Sequence, residues 1–385
     1  MRVKLKDAFN LQMGKTPSRA DLSMWGGNNK WISIADIGSA KKYISSTKEC
    51  ITDEGVSRSG IKVVPEGTVI MSFKLSIGKT AIVSEDMYTN EAIMAFIDNG
   101  TYCIDPNYLY HLCCGTDWTQ GGNKAVMGLT LNKATLSEME IELPTIEEQR
   151  EIASILDQLD AIIEKRHDEL NVIEQLVKSR FIELFGDPKS NPKGYTKKQL
   201  GETCKVITGN TPSRAVDEYY GDHIEWIKTD NIVSGLLNPT TATECLSEKG
   251  MTVSRTVESG VILMACIAGS VSSIGRVCVT NRKVAFNQQI NAIVPYDYNI
   301  LFLYAMLQIS KEYLVDGINM ALKGILSKSK LEEKTFFVPP IELQEQFAAF
   351  VEQTDKSKFF ACQTLSFLLK LANNLQSWRE KQYDY

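Results

Sequence analysis

Only three histidines occur among 385 residues, too few to argue for a serine–histidine–aspartate arrangement. No CxxC spacing links any of the nine cysteines. An odd count without that spacing points to reduced thiols in a cytoplasmic protein. Long apolar runs are missing too. None exceeds the eight residues of Val261 to Ala268, far short of the roughly 20 that a membrane-spanning helix needs. The opening stretch Met1-Arg2-Val3-Lys4-Leu5-Lys6-Asp7 has no apolar core of a secretory signal. Basic charge is not in excess: 42 Lys and Arg against 47 Asp and Glu give a net charge of −5 and a pI near 5.5. That balance argues against a protein that coats nucleic acid through a uniformly basic surface. A DNA reader of this composition must concentrate its cations locally or borrow positive charge from a partner.

Catalytic signatures are equally sparse. Gly14-Lys15-Thr16 and Gly78-Lys79-Thr80 look like P-loop endings, yet Phe9 and Phe73 stand where the pattern requires its first glycine. Asp105-Pro106-Asn107-Tyr108 is close to the Asp-Pro-Pro-Tyr type motif of amino-methyltransferases. It lacks the second proline and a Gly-rich cofactor loop, which favours a turn. His111 lies near Cys103, Cys113 and Cys114 in a spacing that fits no standard zinc site. A strand with buried thiols is expected there, and no metal site is assigned.

What the chain does contain is a long echo. Thr16-Pro17-Ser18-Arg19 returns as Thr211-Pro212-Ser213-Arg214, and Trp31-Ile32 as Trp226-Ile227, both 195 positions later. Pro144-Thr145-Ile146-Glu147 with Gln149 returns as Pro339-Pro340-Ile341-Glu342 with Gln344 at the same offset. Between them, Ser76-Ile77-Gly78 matches Ser273-Ile274-Gly275, and Asn90 matches Asn287, at 197. Two residues are therefore expected to be inserted in the second copy and removed before its end. The period is far longer than the roughly 20–50 residues of a solenoid repeat. It describes a duplicated domain with two similar sites in pseudo-twofold relation.

Each half opens with a mixed α/β segment large enough to bury its own core. Thr68–Met71 and Val261–Met264 read as buried strands. Gly26-Gly27-Asn28-Asn29, Gly121-Gly122-Asn123 and Asn191-Pro192-Lys193-Gly194 read as turns or loops, and Ile300–Tyr313 as a helix. After Pro144, Thr145 and Glu148 fit a capping box, followed by a stretch to about Phe185 without Gly or Pro. Positions 152, 156, 159, 163, 166, 170, 173, 177, 180 and 184 alternate by four and three residues. Ile152, Leu156, Leu159, Ile163, Leu170, Ile173, Val177 and Leu184 are apolar, and Arg166 and Arg180 are not. The same positions shifted by 195 include Phe347, Val351, Ala361, Leu365, Leu368, Ala372 and Leu375, interrupted by Thr354, Lys358 and Arg379. This spacing predicts two helices that pair as a coiled coil, antiparallel because a globular domain separates them. The alternative is that each helix packs only on its own domain. A helix of about 40 residues reaches roughly 60 Å, more than one compact domain needs, which favours a spacer between two domains. The expected organisation is a domain at 1–144, a helical spacer at 145–188, a second domain at 189–339 and a second spacer at 340–385.

These residues resemble the type I restriction–modification specificity subunits (HsdS). The resemblance lies in the Thr-Pro-Ser-Arg and Trp-Ile pairs, and in Leu143-Pro144-Thr145-Ile146-Glu147-Glu148-Gln149 leading into a helix. It extends to Phe181-Ile182-Glu183-Leu184-Phe185-Gly186-Asp187-Pro188, Phe286-Asn287-Gln288-Gln289-Ile290 and Val338-Pro339-Pro340-Ile341-Glu342. It covers essentially the whole chain. The resemblance implies two target-recognition domains, each reading one half of a split double-stranded DNA sequence, with the coiled coil setting the unread spacer. It implies two methyltransferase subunits docked on the helical regions, joined by restriction subunits. S-adenosylmethionine, ATP and Mg²⁺ would belong to those partners, with no cofactor in this chain and no membrane. Pro340 in place of Thr145, and Glu345 in place of Arg150, put a matching start of the second helix in doubt.

Sequence readout needs hydrogen-bonding groups on base edges, while phosphate contacts position the protein. Thr16, Ser18 and Arg19, with Thr211, Ser213 and Arg214, offer hydroxyls and a guanidinium on a proline-stiffened turn. A structural turn is the competing reading, and a motif shared by both domains is poorly placed to read two different sequences. Lys228, after the second Trp-Ile, is a further candidate contact. Differences between the copies are better specificity candidates: Lys74 and Lys79 in one loop face Ser270, Ser272 and Arg276 in the other. Gln120, Asn123 and Lys124 have Asn319 and Lys323 as rough counterparts. Asn287-Gln288-Gln289 is read as structural. Two other functions remain open at this point: an internally duplicated DNA adenine methyltransferase, and a coiled-coil scaffold without sequence readout.

Overall fold

The computed structural model describes residues 1–74, 76–118, 123–125, 128–270, 273–318 and 324–381, with backbone alone at 123–125, 128–130 and 373–381. The chain divides into two compact units, Met1–Lys165 with Leu365–Tyr385, and Arg166–Thr364. Residues of each long helix fall in both units.

In the first unit, β1 (Phe9–Met13), β2 (Tyr43–Ile44), β3 (Val69–Ser72), β4 (Thr80–Val83) and β5 (Ile93–Asp98) form a sheet in the order β1-β5-β3-β4-β2. All neighbours are antiparallel except β4 and β2. Both faces are covered, which is why β3 reads as a continuous apolar run rather than an alternating one. Val69, Met71 and Phe96 face a core with Tyr108, Leu109, Leu136 and Ala153. Ile70, Ala81, Val83 and Ala95 face a second core with Ile32, Ile37 and Met87. Helix α1 (Pro106–Gly115) covers the first face, and α2 (Ile146–Phe185) leaves the domain after Leu143.

The second unit repeats this plan. β6 (Cys204–Thr208), β7 (Ile262–Ala265), β8 (Val277–Val279) and β9 (Ile290–Pro295) lie in the order β6-β9-β7-β8, all antiparallel. α3 (Ile300–Ile309) occupies the place of α1, within the helix expected over Ile300–Tyr313, and α4 (Ile341–Lys381) that of α2. Each domain also closes on itself at the same offset. Arg2–Lys4 pairs antiparallel with Glu140–Glu142, and Lys197–Gln199 with Thr335–Phe337.

The expected helix start at Thr145 is present. Thr145 N–H donates to Glu148 Oε2 at 2.9 Å, and Glu148 N–H to Thr145 Oγ1 at 3.3 Å. Pro340 cannot offer that hydroxyl, yet α4 begins at Ile341, the equivalent of Ile146. A buried glutamine holds both starts. Gln149 Oε1 accepts from Asp105 N–H at 2.9 Å and its Nε2 donates to Pro144 O at 3.1 Å. Gln344 repeats this with Asn299 N–H at 2.8 Å and Pro339 O at 2.8 Å.

Along α2 every heptad seam position is buried or half-buried, Ile152, Leu156, Leu159, Ile163, Leu170, Ile173 and Val177 among them. Ile155, Ile162, Val172 and Leu176, off the seam, are exposed. Along α4, Phe347, Val351, Ala361 and Leu365 are buried and Leu368 half-buried; the side chain of Leu375 lies outside the described residues. Within the second unit the helices run antiparallel. Phe181 of α2 meets Phe347 of α4 with ring centroids 5.4 Å apart, and the earlier Glu174 meets the later Lys358.

Three expectations need correction. The stretch Gly26–Asn29 is not a turn but part of a strand, Trp25–Ile32, whose pairing with Glu49–Ile51 is irregular between Trp25 and Asn29. Gly26 supplies a φ of +83° there, as a bulge requires. The residues around His111 form helix α1 rather than a strand, because Asp105 accepts from Asn107 N–H and Tyr108 N–H and Pro106 opens the first turn. The change of repeat offset is also a composite. Val69 and Phe96 pair as do Ile262 and Ile293, so the offset is 193 at β3, before it becomes 197 at β4 and β5. Two residues are lost before β3 and four are gained after it. Among the described residues no helix is long and apolar enough to cross a membrane.

Candidate nucleic-acid interface

The shared Thr-Pro-Ser-Arg turns leave their strands at Gly14 and Gly209, where the backbone is tightly packed. A β-carbon at Gly14 would stand 2.1 Å from Thr89 O, and one at Gly209 2.2 Å from Asn287 O. The glycine of the P-loop-like Gly14-Lys15-Thr16 therefore serves strand packing. Trp31 Nε1 donates to Lys15 O at 3.0 Å, and Trp226 Nε1 to Asn210 O at 3.3 Å. The echoed tryptophans thus pin the echoed turns.

The motif arginines are held in the same way in both domains. Arg19 donates to both carboxylate oxygens of Glu49, at 2.5 and 2.8 Å, and lies 3.8 Å over the Trp25 ring and 5.1 Å from Trp31. Arg214 donates to Glu244 at 2.6 Å and lies 4.4 Å over Tyr220 and 5.2 Å from Trp226. The hydrogen bond from Arg19 holds the Glu49 carboxyl below its ordinary range, and those from Lys228 and Arg214 do so for Glu244. Lys228 Nζ shares Glu244 with Arg214. Thr16 donates to Glu91 and Thr211 to Gln288. Ser18 and Ser213 use their carbonyls, which accept from Trp25 Nε1 at 3.0 Å and Val216 N–H at 3.2 Å. A base or phosphate reaching either arginine must displace a carboxylate and works against ring stacking. Sequence reading missed Glu49 and Glu244, although they repeat at the same 195-residue offset.

The loops between β3 and β4 and between β7 and β8 share a neck and differ beyond it. Ser72 N–H donates to Lys79 O at 2.8 Å and Gly78 N–H to Ser72 O at 2.9 Å. Ala265 N–H donates to Arg276 O at 2.9 Å and Gly275 N–H to Ala265 O at 2.8 Å. Gly78 and Gly275 both take positive φ, +89° and +77°. Between these matched necks lie six residues in the first domain and ten in the second. The four extra residues of the repeat are all here. Among the described residues, only the longer loop adds a strand, Ile267–Ala268, which pairs with Gly324–Ile325. In the first domain the equivalent of that partner at the 195-residue offset, Leu129–Thr130, pairs instead in a hairpin, Asn123–Ala125 with Gly128–Thr130.

Lys79 and Ser270 are exposed and Lys74 half-buried beside Phe73, while Arg276 is half-buried with Nε donating to Ser273 O at 3.2 Å. Asn123 and Lys124 lie in the hairpin, their side chains outside the described residues, as are Gln120, Ser272, Asn319 and Lys323 altogether. Asn287 is buried and its side chain bonds Gln289 twice, at 3.1 and 3.2 Å. Among the described residues, no group of three or more His, Cys, Asp or Glu is placed to hold a metal ion.

Two similar α/β domains, each presenting its own loop on a shared neck and each leading into a helix of 40 or 41 residues, define a duplicated recognition subunit. The type I restriction modification DNA specificity domain family matches residues 1–175 and 192–361, and the chain belongs to that family: it is a type I restriction–modification specificity subunit, a DNA-recognition component and not a catalyst. It is 26% identical over 375 residues to the type I restriction enzyme MjaIX specificity subunit of Methanocaldococcus jannaschii, covering 91% of this chain and 85% of that one. The EcoprrI specificity subunit of Escherichia coli is 21% identical over 379 residues, covering 92% and 87%. In fold, the chain is similar to the crystal structure of the S subunit of a type I restriction–modification system from M. genitalium. The TM-score is 0.58 at 14% identity, covering 98% of this chain and 94% of that one. It is similar too to a chain from a structure of type I R-M complex assembly, with TM-score 0.59 at 18% identity and coverage of 98% and 97%.

Proposed function

We propose that each domain reads one half of a bipartite double-stranded DNA target in the cytoplasm and that the paired helices set the distance between the halves. The observation that carries this reading is the common loop neck with unlike contents. A shared frame holds both loops in the same way, while their lengths, charges and strand partners differ, as two different half-sites require. Lys74, Lys79, Ser270, Ser272 and Arg276 on these loops, with Gln120, Asn123, Lys124, Asn319 and Lys323, are the proposed specificity contacts. Thr16, Ser18, Arg19, Thr211, Ser213, Arg214 and Lys228 belong to the frame that aims them.

Two methyltransferase subunits dock on the helical regions, where α4 leaves Phe359 and Phe360 exposed in the second unit and Phe367 exposed in the first. Restriction subunits join that core. S-adenosylmethionine, ATP and Mg²⁺ are carried by the partners. A target adenine must be flipped from the duplex for methylation, so the recognition subunit's task is to place each methyltransferase over its half-site. Mapping methylated adenines across the host genome with and without this gene tests the reading. Loss of one bipartite methylated motif is expected. An unchanged map would favour the scaffold without readout, and S-adenosylmethionine binding by the isolated chain would favour the duplicated methyltransferase.

A further inference from the structure

One hydrogen bond shared by both domains frames a difference in how each is held to its helix. Tyr110 Oη donates to Lys41 O at 3.3 Å in the first domain, and Tyr304 Oη to Leu236 O at 3.4 Å in the second. Beside this bond the first domain has Lys41-Lys42 and the second Leu236-Leu237. Lys42 Nζ lies 2.5 Å from Asp157 Oδ1, His111 Nε2 lies 2.8 Å from the same oxygen, and His111 Nδ1 lies 4.0 Å from Asp160. Lys41 pairs with Glu164. Asp157, Asp160 and Glu164 follow one another by three and four residues, so they share one stripe of α2. His111 is 2% exposed and the Lys42 side chain 18%. In the second unit the corresponding wall is largely apolar, with one ion pair, Lys358–Glu174, beside Gly235. Leu237 packs against a core containing Phe181, Phe185, Phe302 and Phe347, with Phe185 and Phe302 centroids 4.8 Å apart.

We propose that Lys41 and Lys42 with Asp157 and Glu164 form an ionic joint, buttressed by the His111–Asp157 hydrogen bond and flanked by Asp160, that positions the first recognition domain on its helix, a joint that salt loosens while leaving the largely apolar packing of the second domain's joint intact. Screening acts over about 10 Å at 0.1 M salt and about 3 Å at 1 M, and it weakens ion pairs of this kind. Apolar burial is not screened. The consequence for DNA rests on the one-domain-per-half-site reading: ionic strength changes the placement of one half-site reader and not the other. The joint itself does not depend on that reading.

Hydrogen exchange of the full chain at about 0.1 M and about 1 M NaCl tests it without DNA. Exchange in residues 106–115 and 153–165 is expected to quicken by about threefold or more at high salt, while residues 300–309 and 343–351, which lie away from the Lys358–Glu174 pair, stay unchanged. The variant K41L/K42L, which copies the second domain, is expected to lose the salt response. Equal response in both units, no response in either, or an unaltered response in K41L/K42L would overturn the proposal. The wild-type comparison stands even if the variant does not fold. If methylation mapping fails to show two half-sites while this exchange pattern is found, only the reading of the target falls.

Discussion

Lys358 Nζ lies 2.7 Å from Glu174 Oε1, joining α4 to α2 at a seam position that the heptad pattern reserves for an apolar side chain. The Lys358 side chain is 16% exposed and that of Glu174 50%. Thr354, the polar seam residue before Lys358, donates to its own helix at Val351 O, 2.9 Å away. Neither interruption therefore leaves a seam group unpaired. A polar pair at one seam position costs some stability and selects one register among those that apolar contacts alone allow.

Reversing one charge of this pair tests that role. K358E places two carboxylates together and is expected to lower stability by about 1 kcal/mol, with E174K/K358E recovering most of it. Urea unfolding of the single and double variants gives the coupling. A coupling indistinguishable from zero would make the contact incidental.

Gln344 is fully buried, and its amide satisfies Asn299 N–H and Pro339 O at the start of α4. Q344A leaves both groups without a partner and opens a small cavity. A loss of about 2–4 kcal/mol is expected from equilibrium unfolding, and Q149A should act alike in the first unit. A loss well below 1 kcal/mol would mean that the helix start is held by other contacts.

The local features were the legible ones. The Thr145–Glu148 box and the seam from Ile152 to Leu184 follow from spacing alone, and side-chain burial repeats the heptad residue by residue. Features that depend on distant partners were hidden. Glu49 meets Arg19 from 30 residues away on a neighbouring strand, and nothing near either residue signals the pair. The run Tyr108-Leu109-Tyr110-His111 suits a strand or a helix equally, and only the Asp105-Pro106 start decides between them. The repeat offset also concealed two compensating changes, which strand register separates. Which loop side chains touch bases depends on geometry with DNA that spacing does not determine.

Acidification destabilises the first domain through His111. Burial lowers its pKa against the opposing hydrogen bond to Asp157, with Asp160 and Lys42 as the other charged groups facing the ring. The folded domain keeps the ring neutral where the unfolded chain takes up a proton, so stability falls as pH drops below about 6.5. The urea midpoint of the first unit should decline between pH 7.5 and 5.5, and H111Q should remove that part of the slope. An identical slope in H111Q would assign it elsewhere.

Adding one heptad to both α2 and α4 lengthens the spacer by about 10 Å, roughly three base-pair rises. Methylated-site mapping should then return the same two half-sites with a longer gap between them. An unchanged gap would show that the helices do not set it.

The most direct test of one reader per half-site exchanges residues 1–144 for the first domain of another specificity subunit and maps methylated adenines in a host lacking the native gene. One half of the bipartite motif should change, with the other half retained. A change in both halves, or in neither, would contradict the account.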